Sequence, residues 1–280
     1  MVKASFKHLY KREWLAGRRW AGASLMLVTL GASPALAQWQ ASAGATAAYF
    51  HYEERATGGR TLNTERGTLP GLQLSLGYEL SRGIRVRLTG TRYAEDVRYR
   101  GMTQSGRPLQ TRTDTVLSFV DAELELPALR HNHWDFTPVL QAGYRQWQRH
   151  ILPTGNVRGL EEVYQWYQVG AGVSACHSLG FWVFERGCAR ALAGYSFEGN
   201  VVVNLKELSA GEPSLRLGSK PGGALEVSVQ AAAFEISLFS RYWQFGRSNP
   251  LTVNRPAGQL SIEEPASQSW LTGISARYRF

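Results

Sequence analysis

The 280-residue chain holds only two cysteines and three methionines, and it has no long hydrophobic run. Two cysteines exclude a disulfide-dense scaffold, and their spacing is wrong for a redox Cys-x-x-Cys pair or a zinc site. The longest apolar segment, residues 21–32, is shorter than the roughly 20 residues that cross a bilayer as a helix, so a helical membrane protein is excluded. No Asp-x-His sequence occurs anywhere. Acid is scarcer than base, with 22 Asp and Glu against 31 Lys and Arg, for a net charge of +9. That excess invites a nucleic-acid reading, but six basic residues and one acid fall within residues 1–37, leaving +4 on the rest. No basic helix accompanies it, so nucleic acid is set aside as a partner.

The amino-terminal stretch is a leader by its pattern. Lys3, Lys7, Lys11, Arg12, Arg18 and Arg19 precede the apolar run, and Ala35-Leu36-Ala37 is an Ala-x-Ala cleavage site. Residues 1–37 therefore read as a signal peptide and 38–280 as the mature domain. Sec export is expected rather than the twin-arginine route, which carries folded cargo.

The mature region alternates. In the last segment Trp270, Thr272, Ile274, Ala276, Tyr278 and Phe280 fall on one side of an extended chain, and Leu271, Gly273, Ser275, Arg277 and Arg279 on the other. A period of two puts successive side chains on opposite faces of a strand. Such alternation hides a lipid-facing band inside a polar average, and the mean hydropathy is −0.26. A secreted β-sandwich also alternates, but it has no need of an aromatic carboxy-terminal strand.

That terminal strand, ending on Tyr278 and Phe280, resembles the closing strand of bacterial outer-membrane β-barrel proteins. The resemblance implies an all-β, antiparallel, up-and-down transmembrane barrel in the outer membrane of a Gram-negative cell. It also implies that Phe280 serves as a signal to the barrel-assembly machinery. Outer-membrane lipid and lipopolysaccharide are then the expected surroundings.

Ten strands are expected, near residues 41–52, 71–80, 84–93, 112–126, 134–150, 162–176, 188–203, 223–231, 235–247 and 268–280. Eight or twelve remain open, because the eighth is weak and 204–222 has room for a hairpin. Long loops (53–70, 94–111, 151–161, 204–222, 248–267) alternate with short turns, as in outer-membrane barrels. Cys176 and Cys188 fit a disulfide across one hairpin: the register that pairs them also pairs Val169 with Tyr195, Ala171 with Ala193 and Val173 with Ala191, all outward. Inward positions carry both signs, among them Glu79, Arg85, Arg87, Asp121, Glu123, Glu125, Arg190, Glu198, Glu226, Glu235, Arg241 and Arg277. A narrow lumen then favours a salt-bridged plug over an ion path.

Candidate chemistry gathers beside the 151–161 loop. Arg145, Trp147, Arg149 and His150 stand on one side, and Glu161, Glu162, Tyr164 and Trp166 on the other. Arg beside Trp can recognise an anion or a sugar, so Arg145, Trp147, Arg149, Glu161, Tyr164 and Trp166 are the binding candidates. His150 near Glu162 is a candidate general base. In size and strand count the chain is similar to the omptin proteases. That likeness implies paired acids facing an Asp–His dyad, for which Glu95, Asp96 and His150 are the nearest residues, and the dyad motif is missing. The His–Ser pair of lipid A deacylases has no counterpart beside His51 or His150. His131 and His133 fall in a turn and supply too few ligands for a metal.

The expectation is a non-enzymatic surface-binding or envelope-structural barrel, without cofactor or metal, whose outer loops meet an extracellular ligand. A narrow channel leaning toward anions is the first alternative, and an outer-membrane hydrolase the second.

Overall fold

The computed structural model describes residues 39–80, 83–103, 106–256 and 258–280. The leader reading at 1–37 lies outside them. The strands are β1 (Trp39–Arg55), β2 (Thr61–Glu79), β3 (Arg85–Met102), β4 (Pro108–Glu125), β5 (Leu129–His131), β6 (Trp134–Ile151) and β7 (Leu160–Phe181). They continue with β8 (Phe184–Asn204), β9 (Ser214–Arg216), β10 (Lys220–Ala231), β11 (Phe234–Phe245), β12 (Leu251–Arg255), β13 (Gly258–Ile262) and β14 (Ala266–Arg279).

Ten of these close a barrel. Neighbours pair antiparallel in the order β10-β11-β14-β1-β2-β3-β4-β6-β7-β8, and β8 pairs back onto β10. This is the up-and-down barrel expected from the alternation, with ten strands. Closure leaves no edge, which is the condition for strands to cross a bilayer. The outer surface carries the lipid-facing band: Leu72, Leu74, Leu76, Val86, Leu88, Val120, Leu140, Val169, Val173, Leu225, Leu238 and Ile274 are all exposed. Tyr49 and Tyr195 edge the band at one end, and Phe136, Tyr278 and Phe280 at the other, where Trp39 and Phe280 lie.

The hairpin of β7 and β8 has the register derived from the cysteines. Val169 faces Tyr195, Ala171 faces Ala193, Val173 faces Ala191, and Cys176 faces Cys188. The two sulfurs form a disulfide. A two-residue turn at 182–183 joins these strands, opened by Trp182 in the left-handed region at φ 59°. Asn132 and Ala232 take the same conformation at the other tight turns of this end.

Several boundaries differ from the sequence expectation. Residues 53–70 and 94–111 are mostly strand, not loop: only 56–60 and 103–107 separate β1 from β2 and β3 from β4. The 204–222 connection holds a 3-10 turn and β9, and 248–267 holds the β12–β13 hairpin. A membrane-crossing strand needs about 10 residues, whereas β2, β3 and β4 have 19, 18 and 18. The surplus raises the barrel wall well beyond the apolar band at the end away from Trp39 and Phe280, here called the distal end.

Glu198 corrects the inward set. A bulge in β8 shifts the pairing between Gln165 and Tyr167 of β7, with Glu198 at φ 49°. Glu198 is consequently exposed and lines a lateral groove of about 440 Å³ with Tyr144, Tyr167 and Asn200. Beyond the bulge the parity is reversed, and Val201 and Val203 point inward.

Candidate functional site

From the terminal end upward, the lumen is filled in three layers. The lowest is ionic. Arg87 binds Glu125 and lies 4.0 Å from Glu123, Arg85 reaches Glu125 at 3.3 Å, and Arg190 stands 2.8 Å from Glu123. Arg277 bridges Glu226, at 2.7 Å, and Glu235. Arg145 pairs with Asp121 and lies over the Phe119 ring. The predicted cross-strand pairing of β3 arginines with β4 acids is therefore present.

The middle layer is aromatic. Phe50, Tyr52, Tyr93, Phe119, Trp147, Tyr164, Trp166, Trp243 and Phe245 are nearly or wholly buried and pack across the barrel axis. Trp147 stacks on Tyr164 at 4.8 Å, Trp166 on Trp243 at 6.0 Å, and Phe50 meets Trp147 edge-on at 5.5 Å. Such contacts add to the apolar burial of each ring.

The top layer is acidic around one cation. Arg149 of β6 donates from Nε to Glu65 at 2.6 Å, contacts Glu54 at 3.0 Å and binds Glu162. Its guanidinium also lies 5.1 Å from the Tyr52 ring centre. Glu264, in the connection ahead of β14, accepts from the Tyr164 hydroxyl at 2.7 Å and from Tyr52 at 3.4 Å. Ser248 ties that connection down, since its Oγ accepts from the Glu264 N–H at 2.8 Å and its own N–H donates to the Glu264 carbonyl at 2.9 Å. Leu260 and Ile262 of β13 pack against the aromatic layer. The β12–β13 connection is thus a lid latched on Glu264. Burial in this closed mouth, with Glu54 and Glu162 nearby, raises the Glu264 pKa well above the ordinary carboxylate value, despite Arg149 and the Tyr164 hydrogen bond.

These facts relocate the predicted site. Arg145, Trp147, Arg149, Glu162, Tyr164 and Trp166 do come together, but inside the barrel, none of them more than 6% exposed. They form packing and ionic layers rather than an open rim. The register does not set His150 opposite Glu162. Antiparallel register sets Arg149 opposite Glu162, while His150 has the opposite parity and faces Glu161 on β7 and Asp114 on β4. Glu161 accepts from Asn204 at 2.8 Å. Of the omptin-type candidates, Glu95 is exposed and Asp96 pairs with Arg112 at 3.5 Å, so they do not face His150 across the mouth.

The outer wall above the band carries a feature that the sequence reading missed. Arg66 on β2 pairs with Arg98 on β3, and Arg98 with Arg112 on β4, so three arginines stand abreast on adjacent strands. All three are exposed, as are Arg92 and Arg100 on the same face of β3. Continuing the row the other way, Arg66 pairs with His51, His51 with Trp270 and Trp270 with Tyr242. His51 and Trp270 lie 5.6 Å apart, ring to ring, and Trp270 and Tyr242 4.9 Å. The signal lay in Arg66 and in Arg-x-Arg at 98–100, within segments expected to be loops, and in Arg112 at the start of the expected fourth strand.

The sequence matches no protein-family model and no curated protein. Its structure is similar to the outer membrane protease OmpT of Escherichia coli, with TM-score 0.53 and 12% identity over 90% of this chain and 99% of that one. Weaker similarities include Ail of Yersinia pestis, solved with the heparin analogue sucrose octasulfate (TM-score 0.33, 14% identity, 87% and 99% covered). Another is the toluene transporter TodX of Pseudomonas putida (TM-score 0.37, 7% identity, 86% and 89% covered). Closed ten-strand topology, the apolar outer band and the similarity to the outer membrane protease agree: the chain has the fold of a bacterial outer-membrane β-barrel.

Proposed function

We propose that this barrel is a surface-binding component of the outer membrane, and that its outer wall and lid, not its lumen, carry the function. The observation that carries the reading is the row Arg66–Arg98–Arg112. Like charges directly opposite on neighbouring strands destabilise a sheet, and among the described residues only Arg112 of the three forms an ion pair, with Asp96. Three planar donors abreast, just beyond a lipid-facing band, fit an anionic group at the headgroup level of the outer leaflet. The flanking Trp270 and Tyr242 suit the same depth, where amphipathic rings settle. The phosphate groups of lipopolysaccharide have that chemistry and that position. The row would hold the barrel in an ordered lipopolysaccharide annulus and present the lid outward.

The test is binding of lipid A to the refolded, detergent-solubilised barrel, using the bis-phosphorylated and the dephosphorylated forms. The wild type is expected to prefer the phosphorylated form. The triple change R66S/R98S/R112S should bind it roughly tenfold more weakly, a loss that grows at low salt. Equal binding of both lipids, or no loss in the triple variant, overturns the proposal.

The filled lumen supports the same reading over a channel. In planar bilayers the folded, inserted protein is expected to be electrically silent. Steady stepwise openings with anion selectivity would make it a small porin instead.

A further inference from the structure

Beneath the aromatic layer the lumen contains a cavity of about 50 Å³, bounded in part by Arg145, Arg190, Arg241, Trp166, Trp243 and Glu123. We propose that this cavity is a binding site for a monatomic anion of halide size, held as an internal counter-ion at the centre of the barrel.

Three observations lead there. The first concerns hydrogen bonding. Arg241 Nη1, Arg190 Nε, Trp166 Nε1 and Trp243 Nε1 are all buried without an acceptor. Among the residues bounding the cavity, every buried side-chain atom lacking a partner is a donor. The two carboxylates in the wall are already committed: Glu123 to Arg190 and to Gln141 Nε2 at 3.1 Å, and Glu226 to Arg277. The unmet demand is for negative charge or lone pairs.

The second is charge. Of the lumen arginines, Arg85, Arg87, Arg145, Arg190 and Arg277 each meet a carboxylate, Arg85 both Glu79 and Glu125. Arg241 is the odd cation. Among the described residues it makes no ion pair, and its guanidinium lies over the rings of Phe119 and Phe239 at 5.5 and 5.6 Å. Ring faces compensate a buried cation only in part, and an unpaired buried charge is expensive. Water satisfies donors but does not neutralise charge; a halide does both.

The third is size. A space of this volume admits a monatomic ion together with a water or two. The indole N–H groups and guanidinium edges around it are the donors that bind such ions without a metal or a proton.

Crystals of the protein grown with sodium bromide in place of chloride provide the test. An anomalous peak in the cavity, within hydrogen-bonding distance of Arg241, is expected. Ordered water there with no anomalous signal overturns the proposal. In solution, bromide titrated at constant ionic strength against fluoride should quench part of the tryptophan emission in a saturable way, through Trp166 and Trp243. R241Q should weaken that component by roughly 30-fold. Purely linear quenching, identical in R241Q, counts against the site. If R241Q does not give the folded, heat-modifiable form, W166F retains the charge and should lose saturable amplitude without losing bromide affinity.

Discussion

Replacing Arg149 with methionine is expected to cost the barrel about 3–5 kcal/mol, because it strands buried carboxylates without their cation. Glu54, Glu65 and Glu162 bond or pair directly with Arg149, and Glu264 shares the Tyr164 hydroxyl with Glu162 and that of Tyr52 with Glu54. None of the four carboxylates is more than 6% exposed. R149K should recover only part of the loss, since one ammonium cannot serve Glu65 from one edge and Glu54 and Glu162 from another. Urea unfolding of the refolded protein in detergent gives the midpoint. An unchanged midpoint in R149M would mean that the acids are solvated and the mouth is open.

The same network sets a pH dependence with a definite sign. Glu264 is faced by Tyr52 and Glu54 from β1, Glu65 from β2, Arg149 from β6, and Glu162 and Tyr164 from β7. Its folded pKa is raised above the unfolded carboxylate value, chiefly by burial. The folded state therefore holds the proton more tightly. This contribution is fully present below the unfolded pKa and is lost as pH rises through the folded pKa. E264Q keeps an acceptor for the Tyr164 hydroxyl and cannot ionise. It should flatten the decline of stability above mildly acidic pH and raise the unfolding midpoint in alkaline buffer. A profile parallel to the wild type would show that another group titrates.

Most of the barrel was legible because lipid imposes one rule on every strand. Within the band, apolar residues face out, and the period of two is plain in Leu72, Leu74 and Leu76 of β2 and in Val86 and Leu88 of β3. The cysteine pair then fixed one register outright. Beyond the band the rule inverts. There the outside is water and the inside is an apolar layer, so Tyr93, Val97 and Tyr99 of β3 point in while Arg92, Arg98 and Arg100 point out. The alternation continues in the opposite phase. A reading that looks for outward apolar residues sees only a polar loop, which is why 53–70 and 94–111 were assigned to loops and the arginine row was missed. The inverted phase in Tyr93, Val97 and Tyr99 was the available signal.

The site failed to resolve for a different reason. Trp147, Arg149, Tyr164 and Trp166 share the inward parity and were rightly grouped, but parity does not say whether a narrow mouth stays open. That depends on the lid, whose hold on Glu264 through Ser248 is a contact between residues 16 apart in an irregular connection. His150 was misassigned by a single residue of register, and one residue is enough to move a side chain to the other face.

Replacing Gly273 with valine is expected to prevent closure of the barrel. β14 pairs with β1, and that pairing seals the cylinder. Along that seam the backbones approach closely at two glycines facing from opposite strands. A Cβ on Gly273 would run into the Ala47 carbonyl oxygen, and one on Gly44 into that of Ala276. Both obstacles are backbone, so no side-chain rotation relieves them, and overpacking of this kind costs about 3 kcal/mol or more. Gly44 pairs with Arg277 and Gly273 with Ala48, four residues apart in register, so the inward side of the seam is thinned over more than one pair. Gly90 provides the control: it lies on the outward parity of β3, and a Cβ there meets nothing within 4 Å. G90V should fold as the wild type does, its side chain entering lipid. G273V should lose most of the compact, heat-modifiable species on refolding, and G273A should fall between them. If G273V closes as readily as G90V, strand pairing tolerates a wider seam, and closure must then rest on the aromatic layer drawing the wall together.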